Sequence, residues 1–269
     1  MVYIPSITRT LKPDTLEEAS INQIKLLRKL SKRKYREKEN LFVVEGERAV
    51  EQILDHGFLK VVTLFVAEAN ASNYELFANS FLLDQKILNE VSNTETPQGV
   101  LTICKIPEPI SITELENLDS GVIIATDAIQ DPGNLGTIIR TATWFGTNAI
   151  LLGNGTVDTF NPKVVRSTVG STGTLPFLTG DLKEVIGKLE EAGWTTLLLD
   201  GNEGSIPINL IKNHKKTILV VGNEANGISK ELITRNRQRV LIPSKSPSKS
   251  IESLNAAVAL SIGLWSVNN

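Results

Sequence analysis

The stretch "DAIQDPGNLGTIIRTATWFG", residues 127–146, follows the apolar run "GVIIAT" (121–126) and sets a Pro, three glycines, an Asn and an Arg into an otherwise aliphatic segment. The run before it has the length and composition of a buried strand, Pro132 and Gly133 turn the chain, and residues 135 to 145 read as a helix closed by Gly146. Asn134 is the expected N-cap of that helix. A strand feeding a helix in this manner is the repeating unit of a parallel sheet covered on both faces.

The same alternation continues outward. Downstream lie strand "AILLG" (149–153), a helix over "PKVVRSTV" (162–169), a helix from about 181 to 192 and strand "WTTLLLD" (194–200). Strand "TILVVG" (217–222), a short helix after Gly227, strand "RVLIP" (239–243) and a last helix "SLNAAVALSIGLW" (253–265) complete it. Upstream, Ile21, Ile24, Leu27 and Leu30 mark a helix, "LFVVE" (41–45) a strand, "ERAVEQIL" (47–54) a helix, and "KVVTLFVA" (60–67) and "GVLTICKI" (99–106) strands. The Pro-, Ser- and acid-rich "PEPISITELENLDS" between the halves reads as a linker. The expected organisation is therefore a smaller N-terminal α/β domain over 1–107, a linker over 108–119 and a larger domain over 120–269, an α/β class with a parallel C-terminal sheet.

Composition removes several function classes. The 269 residues carry a net charge of −2, so nucleic-acid contact requires a local basic patch rather than a global field. One cysteine, Cys104, and two histidines, His56 and His214, exclude a disulfide framework and offer no clustered metal ligands. No run approaches a membrane span and the N-terminus lacks a signal-peptide pattern, so the cytoplasm is the expected location. "GNEANGIS" (222–229) has P-loop glycine spacing, but Ile228 stands where a Lys must reach phosphates; "GNG" (153–155) lacks the third glycine of a dinucleotide fingerprint.

Three loops remain, each after a strand, where open α/β sheets bind ligands. The first is the opening stretch. In the second, "LVVGNEANGIS", Gly222 is expected to let a ligand approach the backbone and Glu224 supplies a carboxylate. The third, "LIPSKSPSKSIESLNAAVAL", ends a strand at Pro243 and starts a helix near Ser253, with Leu254 and Asn255 in its first turn.

"DPGNLGTIIRTATWFG", "LVVGNEANGIS" and "IP…SLNAAVA" resemble, in order and spacing, the three motifs of the SpoU-type (TrmH-like) RNA 2′-O-ribose methyltransferases, and "NPKVVRSTVGS" (161–171) is similar to the segment between the first two. "LFVVEGERAVEQIL" and "TPQGVLTI" resemble the small substrate-binding domain, related to ribosomal protein L30e, that precedes many such catalytic domains. The resemblance implies a trefoil-knotted (SPOUT-type) sheet domain, a homodimer through that domain, S-adenosylmethionine as cofactor and ribosomal RNA as substrate. A transfer-RNA methyltransferase, or a non-catalytic RNA-binding protein on the same scaffold, is the alternative. It further implies active-site roles for Asn134, Arg140, Glu224, Ser253 and Asn255, and cofactor contacts for Gly222, Gly227, Ile242 and Leu254. The third motif departs from the family pattern: Ser244 follows Pro243, and "SKSPSKSIE" lengthens the loop with Lys245 and Lys249.

Methyl transfer from a sulfonium requires in-line placement of a hydroxyl and help with its proton, and neither a metal nor a covalent enzyme intermediate. Arg140, with a guanidinium pKa above about 12, is a poor base; its expected role is to hold an RNA phosphate and stabilise the developing alkoxide. RNA contact is expected at "KLLRKLSKRKYREK" (25–38), with eight Lys or Arg and one acid, and in particular at Lys32, Arg33, Lys34 and Arg36.

Overall fold

A computed structural model describes residues 16–74, 77, 79–212, 214–245 and 253–269. The chain divides into two compact units, one formed by residues up to Pro107 together with Asp158–Thr174, the other by Glu108–Val157 and Leu175–Asn269.

The first unit is built on a five-stranded mixed sheet. Its elements are β1 (Glu17–Glu18), α1 (Ile21–Leu30), α2 (Arg33–Glu39), β2 (Leu41–Glu45), α3 (Glu47–His56), β3 (Val61–Val66), α4 (Ala71–Tyr74), β4 (Ser80–Leu82), α5 (Gln85–Val91) and β5 (Val100–Lys105). The strand order is β1-β4-β3-β5-β2, with β5 antiparallel to both neighbours. The period-2 alternation of "TLFV" splits β3 between two cores: Phe65 packs with Leu27, Leu30 and Leu88 on one face, and Leu64 and Val66 with Val50 and Leu54 on the other. The helix marked by Ile21 to Leu30 and the strand at 41–45 are present, and the helix expected over 47–54 runs on to His56. The basic stretch spans two helices, α1 and α2, separated at Ser31 and Lys32.

The second unit begins with the stretch read as a linker. Residues 108–119 carry a short helix, α6 (Ile112–Glu116), because the Ser and Glu that suggested a solvated connector form a capping box: Ser111 accepts from the Glu114 N–H and Glu114 reaches back to Ser111. Leu115 from this helix is fully buried in the core. There follow β6 (Gly121–Asp127), α7 (Pro132–Trp144) and β7 (Ala149–Gly153). The chain then departs to the first unit with α8 (Pro162–Ser167) and returns as β8 (Phe177–Gly180), α9 (Leu182–Glu191), β9 (Thr195–Leu199), β10 (Ile206–Pro207), β11 (Lys216–Gly222), β12 (Gln238–Leu241) and α10 (Ala256–Val267). The short helix expected after Gly227 is a 3-10 turn, Lys230–Leu232.

All pairings in this seven-stranded sheet are parallel, in the order β10-β12-β9-β11-β6-β7-β8. Ile123, Ala125, Leu151, Leu198, Ile218 and Val220 face α9 and α6 on one side. α7 and α10 pack together on the other, and Gly263 of α10 lies so close that an added Cβ would come 2.8 Å from Leu219. Burial on both faces explains why these strands read as continuous apolar runs. Because every strand points the same way, the loops after β6, β11 and β12 all leave the same edge of the sheet, with β11 directly beside β6.

Candidate active site

At that edge the first two loops are tied backbone to side chain. Asp127, buried at the end of β6, accepts from the Ser229 N–H at 2.6 Å, and Asn223 donates to the Ala128 carbonyl at 2.8 Å. Ala128 holds a left-handed backbone (φ 54°), a costly state for a residue with a Cβ. The second loop also closes on itself. Asn223 and Gly227 exchange backbone hydrogen bonds at 2.9 Å, and Gly227 takes a positive φ of 67°. A Cβ on Gly222 would collide with the Gly227 backbone and lie 2.5 Å from the Ile228 nitrogen. The place a side chain on residue 222 would take is filled by the loop's own backbone, so the turn at the tip of β11 requires a glycine.

The side chains complete the connection. Asn134 donates through Nδ2 to Glu224 Oε1 at 2.8 Å and accepts through Oδ1 from Asn255 Nδ2, also at 2.8 Å. One residue from each of the three loops is thereby joined in a single chain, Glu224–Asn134–Asn255, although the members are 90 and 121 positions apart in sequence. Asn255 is held in turn by its own helix, since its Oδ1 caps the Ala257 and Val258 N–H groups of α10.

Two capping expectations are corrected by this geometry. The N-cap of α7 is Asp131, whose Oδ1 accepts from the Asn134 N–H at 2.8 Å. Pro132 at the first helical position moves the helix start ahead of Asn134, which frees the Asn134 side chain for Glu224 and Asn255. α10 starts at Ala256 with Asn255 as cap, so Ser253 and Leu254 precede the helix as exposed residues rather than forming its first turn.

Arg140 lies outside the hydrogen-bonded chain. Leu135, Gly136, Ile138, Ile139 and Ala142 bury the sheet-facing side of α7, and Arg140 is on the opposite, solvent side with Thr137 and Trp144. Ile242 is half-buried after β12 and Gly227 is exposed in the second loop. The inserted residues 246–252, with Lys249, lie outside the described residues.

Of the four cations expected to meet RNA, Lys32, Arg33 and Lys34 are exposed and Arg36 is not. The Arg36 guanidinium is 3% exposed: Nε and Nη2 pair with Asp158, and Nη1 donates to the carbonyls of Leu30 and Ser31 at 2.8 and 2.9 Å. Arg36 is therefore a structural residue of the first unit, closing the α1–α2 corner, and is withdrawn from the RNA-contact set. No signal within residues 25–38 separates it from its neighbours, because its partner is 122 positions away. Asp158, Asn223 and Asp127 likewise carry no motif that marks them in the sequence. Asp127 and Asn223 could have been suspected, since each sits at a strand tip beside a motif residue.

Residues 121–265 match the model of the SpoU rRNA Methylase family, and residues 22–102 that of the MRM3-like substrate binding domain. The chain is 34% identical over 251 residues to the 23S rRNA (guanosine(2553)-2′-O)-methyltransferase RlmP of Bacillus subtilis, spanning 92% of this chain and 96% of that protein. Among solved structures it is similar to a putative RNA methyltransferase of the TrmH family from Porphyromonas gingivalis, with TM-score 0.77, 30% identity and coverage of 93% and 98% of the two chains. It is also similar to an AdoMet-bound rRNA methyltransferase from Sinorhizobium meliloti, with TM-score 0.80, 27% identity and coverage of 93% and 96%. With three motif loops gathered at one edge of a parallel sheet and both family models matched in order, the chain belongs to the SpoU rRNA methylase family.

Proposed function

We propose that this protein transfers a methyl group from S-adenosylmethionine to a ribose 2′-hydroxyl of ribosomal RNA, with Glu224, Asn134 and Asn255 positioning the strand-tip loops around the reaction. The observation that carries this reading is the hydrogen-bonded chain joining those three residues, one from each motif loop. Rigid placement is what methyl transfer asks of a protein, because the reaction gains mainly from in-line alignment. The cofactor supplies an electrophilic methyl on a sulfonium when bound. The donor set suits such a cation: the loop Gly222–Ser229 contains one acid, Glu224, and no Lys or Arg. Gly222, Gly227 and Ile242 would hold the cofactor largely through backbone, with the half-exposed Leu254 against its apolar surface and Ser253 beside it.

Arg140 orients an RNA phosphate and stabilises the alkoxide that forms as the hydroxyl loses its proton, a task for a permanently charged donor rather than a base. Its exposed position on α7 supports contact with a macromolecule. Lys32, Arg33 and Lys34 bind backbone phosphates. They crowd the start of α2, which has no acid in its first turn, although cations there oppose the helix dipole; helix stability does not account for them.

The second unit forms a homodimer and its C-terminal part threads a trefoil knot. The dimer is supported by an exposed apolar face on the packed pair α7 and α10, with Trp144 85%, Trp265 60% and Val258 47% exposed. The cytoplasm, where ribosomal RNA is made and folded in bacteria, is the corresponding location.

Calorimetry of the purified protein with S-adenosylmethionine, followed by mapping of ribose methylation in ribosomal RNA with and without the protein, tests the reading. One-to-one binding and loss of a specific 2′-O-methyl mark are expected. Failure to bind the cofactor would instead support an RNA-binding protein that has lost catalysis. A mark lost from transfer RNA alone would reassign the substrate.

A further inference from the structure

Residues Asp158–Thr174 follow β7 in the chain, within the sequence that matches the methylase family, yet belong to the first unit. Several contacts seat them there. Asp158 receives the Arg36 guanidinium, Phe160 packs on Phe42 with ring centroids 4.8 Å apart, and Arg166 donates to the Asn93 carbonyl. A Cβ on Gly170 would collide with the Gln52 side chain. Both α8 and α2 lie against β2, the edge strand of this unit's sheet.

The segment is also basic. Residues 159–174 contain Lys163 and Arg166 and no acid. Lys163 is exposed in the first turn of α8, where a cation opposes the helix dipole and where the other local choices, Asn161 as N-cap and Pro162 at the first position, favour the helix. Its presence there is unexplained by local stability. Arg33 on α2 is close enough to Asp158 to feel its charge: Glu37 chiefly, and Asp158 beyond it, hold the Arg33 guanidinium further up than usual. The start of the segment therefore borders the basic end of α2, and the ion pair of Asp158 with the buried Arg36 neutralises the acid that separates the two groups of cations.

We propose that residues 158–174 complete the RNA-binding surface of the first unit, with Lys163 contacting a backbone phosphate in continuation of Lys32, Arg33 and Lys34. This rests on the reading that the protein binds RNA through those α2 cations. It makes the substrate-binding surface composite: part of it is encoded inside the catalytic sequence, and a fragment ending at residue 107 lacks it.

The test uses the full chain and a fluorescein-labelled single-stranded RNA of about 20 nucleotides, with anisotropy followed across a salt series; each lost phosphate contact lowers the salt slope by roughly one. Lys163→Glu should weaken binding by about three- to tenfold and flatten the slope, while Lys163→Arg retains both. Lys183→Glu, an exposed charge reversal on α9 of the second unit, should leave both unchanged. Thermal melting and S-adenosylmethionine calorimetry should match wild type in all three variants, since Glu in the first turn of α8 favours the helix. Wild-type affinity and slope in Lys163→Glu, or an equal loss in Lys183→Glu, would overturn the proposal and leave the methyltransferase reading standing. If the wild-type protein binds S-adenosylmethionine but its RNA affinity does not respond to Lys32→Glu, Arg33→Glu and Lys34→Glu together, the α2 reading fails and this inference fails with it.

Discussion

The edge of the parallel sheet and the α1–α2 corner of the first unit both carry polar side chains that look functional, but they use them in opposite ways. At the sheet edge Asn134, Asn223, Glu224 and Asn255 are consumed by one another and by loop backbone, at distances near 2.8 Å. At the α1–α2 corner most cations are exposed: Lys32 and Lys34 stand in solvent, and Arg33 pairs with its helical neighbour Glu37. One member of each set breaks the pattern. Arg140 belongs to the first motif stretch and is exposed, whereas Arg36 belongs to the basic run and is buried. Residue type and local pattern thus mark a region as functional without stating whether a given side chain meets a ligand or holds the scaffold that presents it.

The largest effect should come from the buried member. Arg36→Ala leaves Asp158 without its partner in a site where the guanidinium is 3% exposed, and loss of one member of a buried pair costs about 3–5 kcal/mol. Urea denaturation followed by near-ultraviolet signal should record a loss of about 3–5 kcal/mol, well beyond that of a surface variant; a loss under about 1 kcal/mol would place Arg36 with the solvated cations after all.

Next come Asn134→Ala and Glu224→Ala, each of which breaks the connection between loops. A fall in single-turnover methylation of about a hundredfold is expected, with little change in melting temperature, because a misplacement of about 1 Å is enough to forfeit that much rate. Near-normal rates would reduce the chain of three residues to a structural tie. Arg140→Lys keeps the charge and loses the planar donor pair, and should fall by a similar factor. Unimpaired turnover would remove the phosphate-orienting role.

Gly222→Ala should cost about 1–3 kcal/mol through overpacking against Gly227 and Ile228 and should weaken cofactor binding measured by calorimetry. At Asn255 two functions can be separated. Asn255→Asp keeps the cap on α10 and loses the donor to Asn134, whereas Asn255→Ala loses both; only the second should lower stability by about 1 kcal/mol, while both should lower turnover. The smallest effect is expected at Val169, whose left-handed backbone (φ 50°) after α8 strains a β-branched residue; Val169→Gly should stabilise the protein by less than about 1 kcal/mol in the same denaturation experiment.

Particular elements show why some of this was legible in advance. β2, α3, β6, β7 and β11 are where the apolar runs and periods place them, within a residue or two, since strand and helix periodicity is a property of neighbouring residues. β4, with three residues, and β8, with four, were not anticipated; both are too short to show a period and depend on pairing with β3 and β7. The α6 capping box was present in "SITE" but was outweighed by the Pro and acid content around it. Asn134 reads as the cap of α7 and is instead its third residue, because Asp131 and Asn134 are both capping residue types and Pro132 at the first helical position identifies the true one.

By itself, then, the amino-acid sequence determined the parallel α/β class, the order of the three motif loops and the residues at their tips, all consequences of short-range patterning. Tertiary structure alone decided which polar groups meet: that Asn134 bridges Glu224 and Asn255, that Asp158 takes Arg36 out of solvent, and that residues 158–174 join the first unit. The reason is one of range. A hydrogen bond or a buried ion pair between groups separated by about a hundred positions leaves no trace in local periodicity, because the partners become neighbours only when the fold brings their elements together.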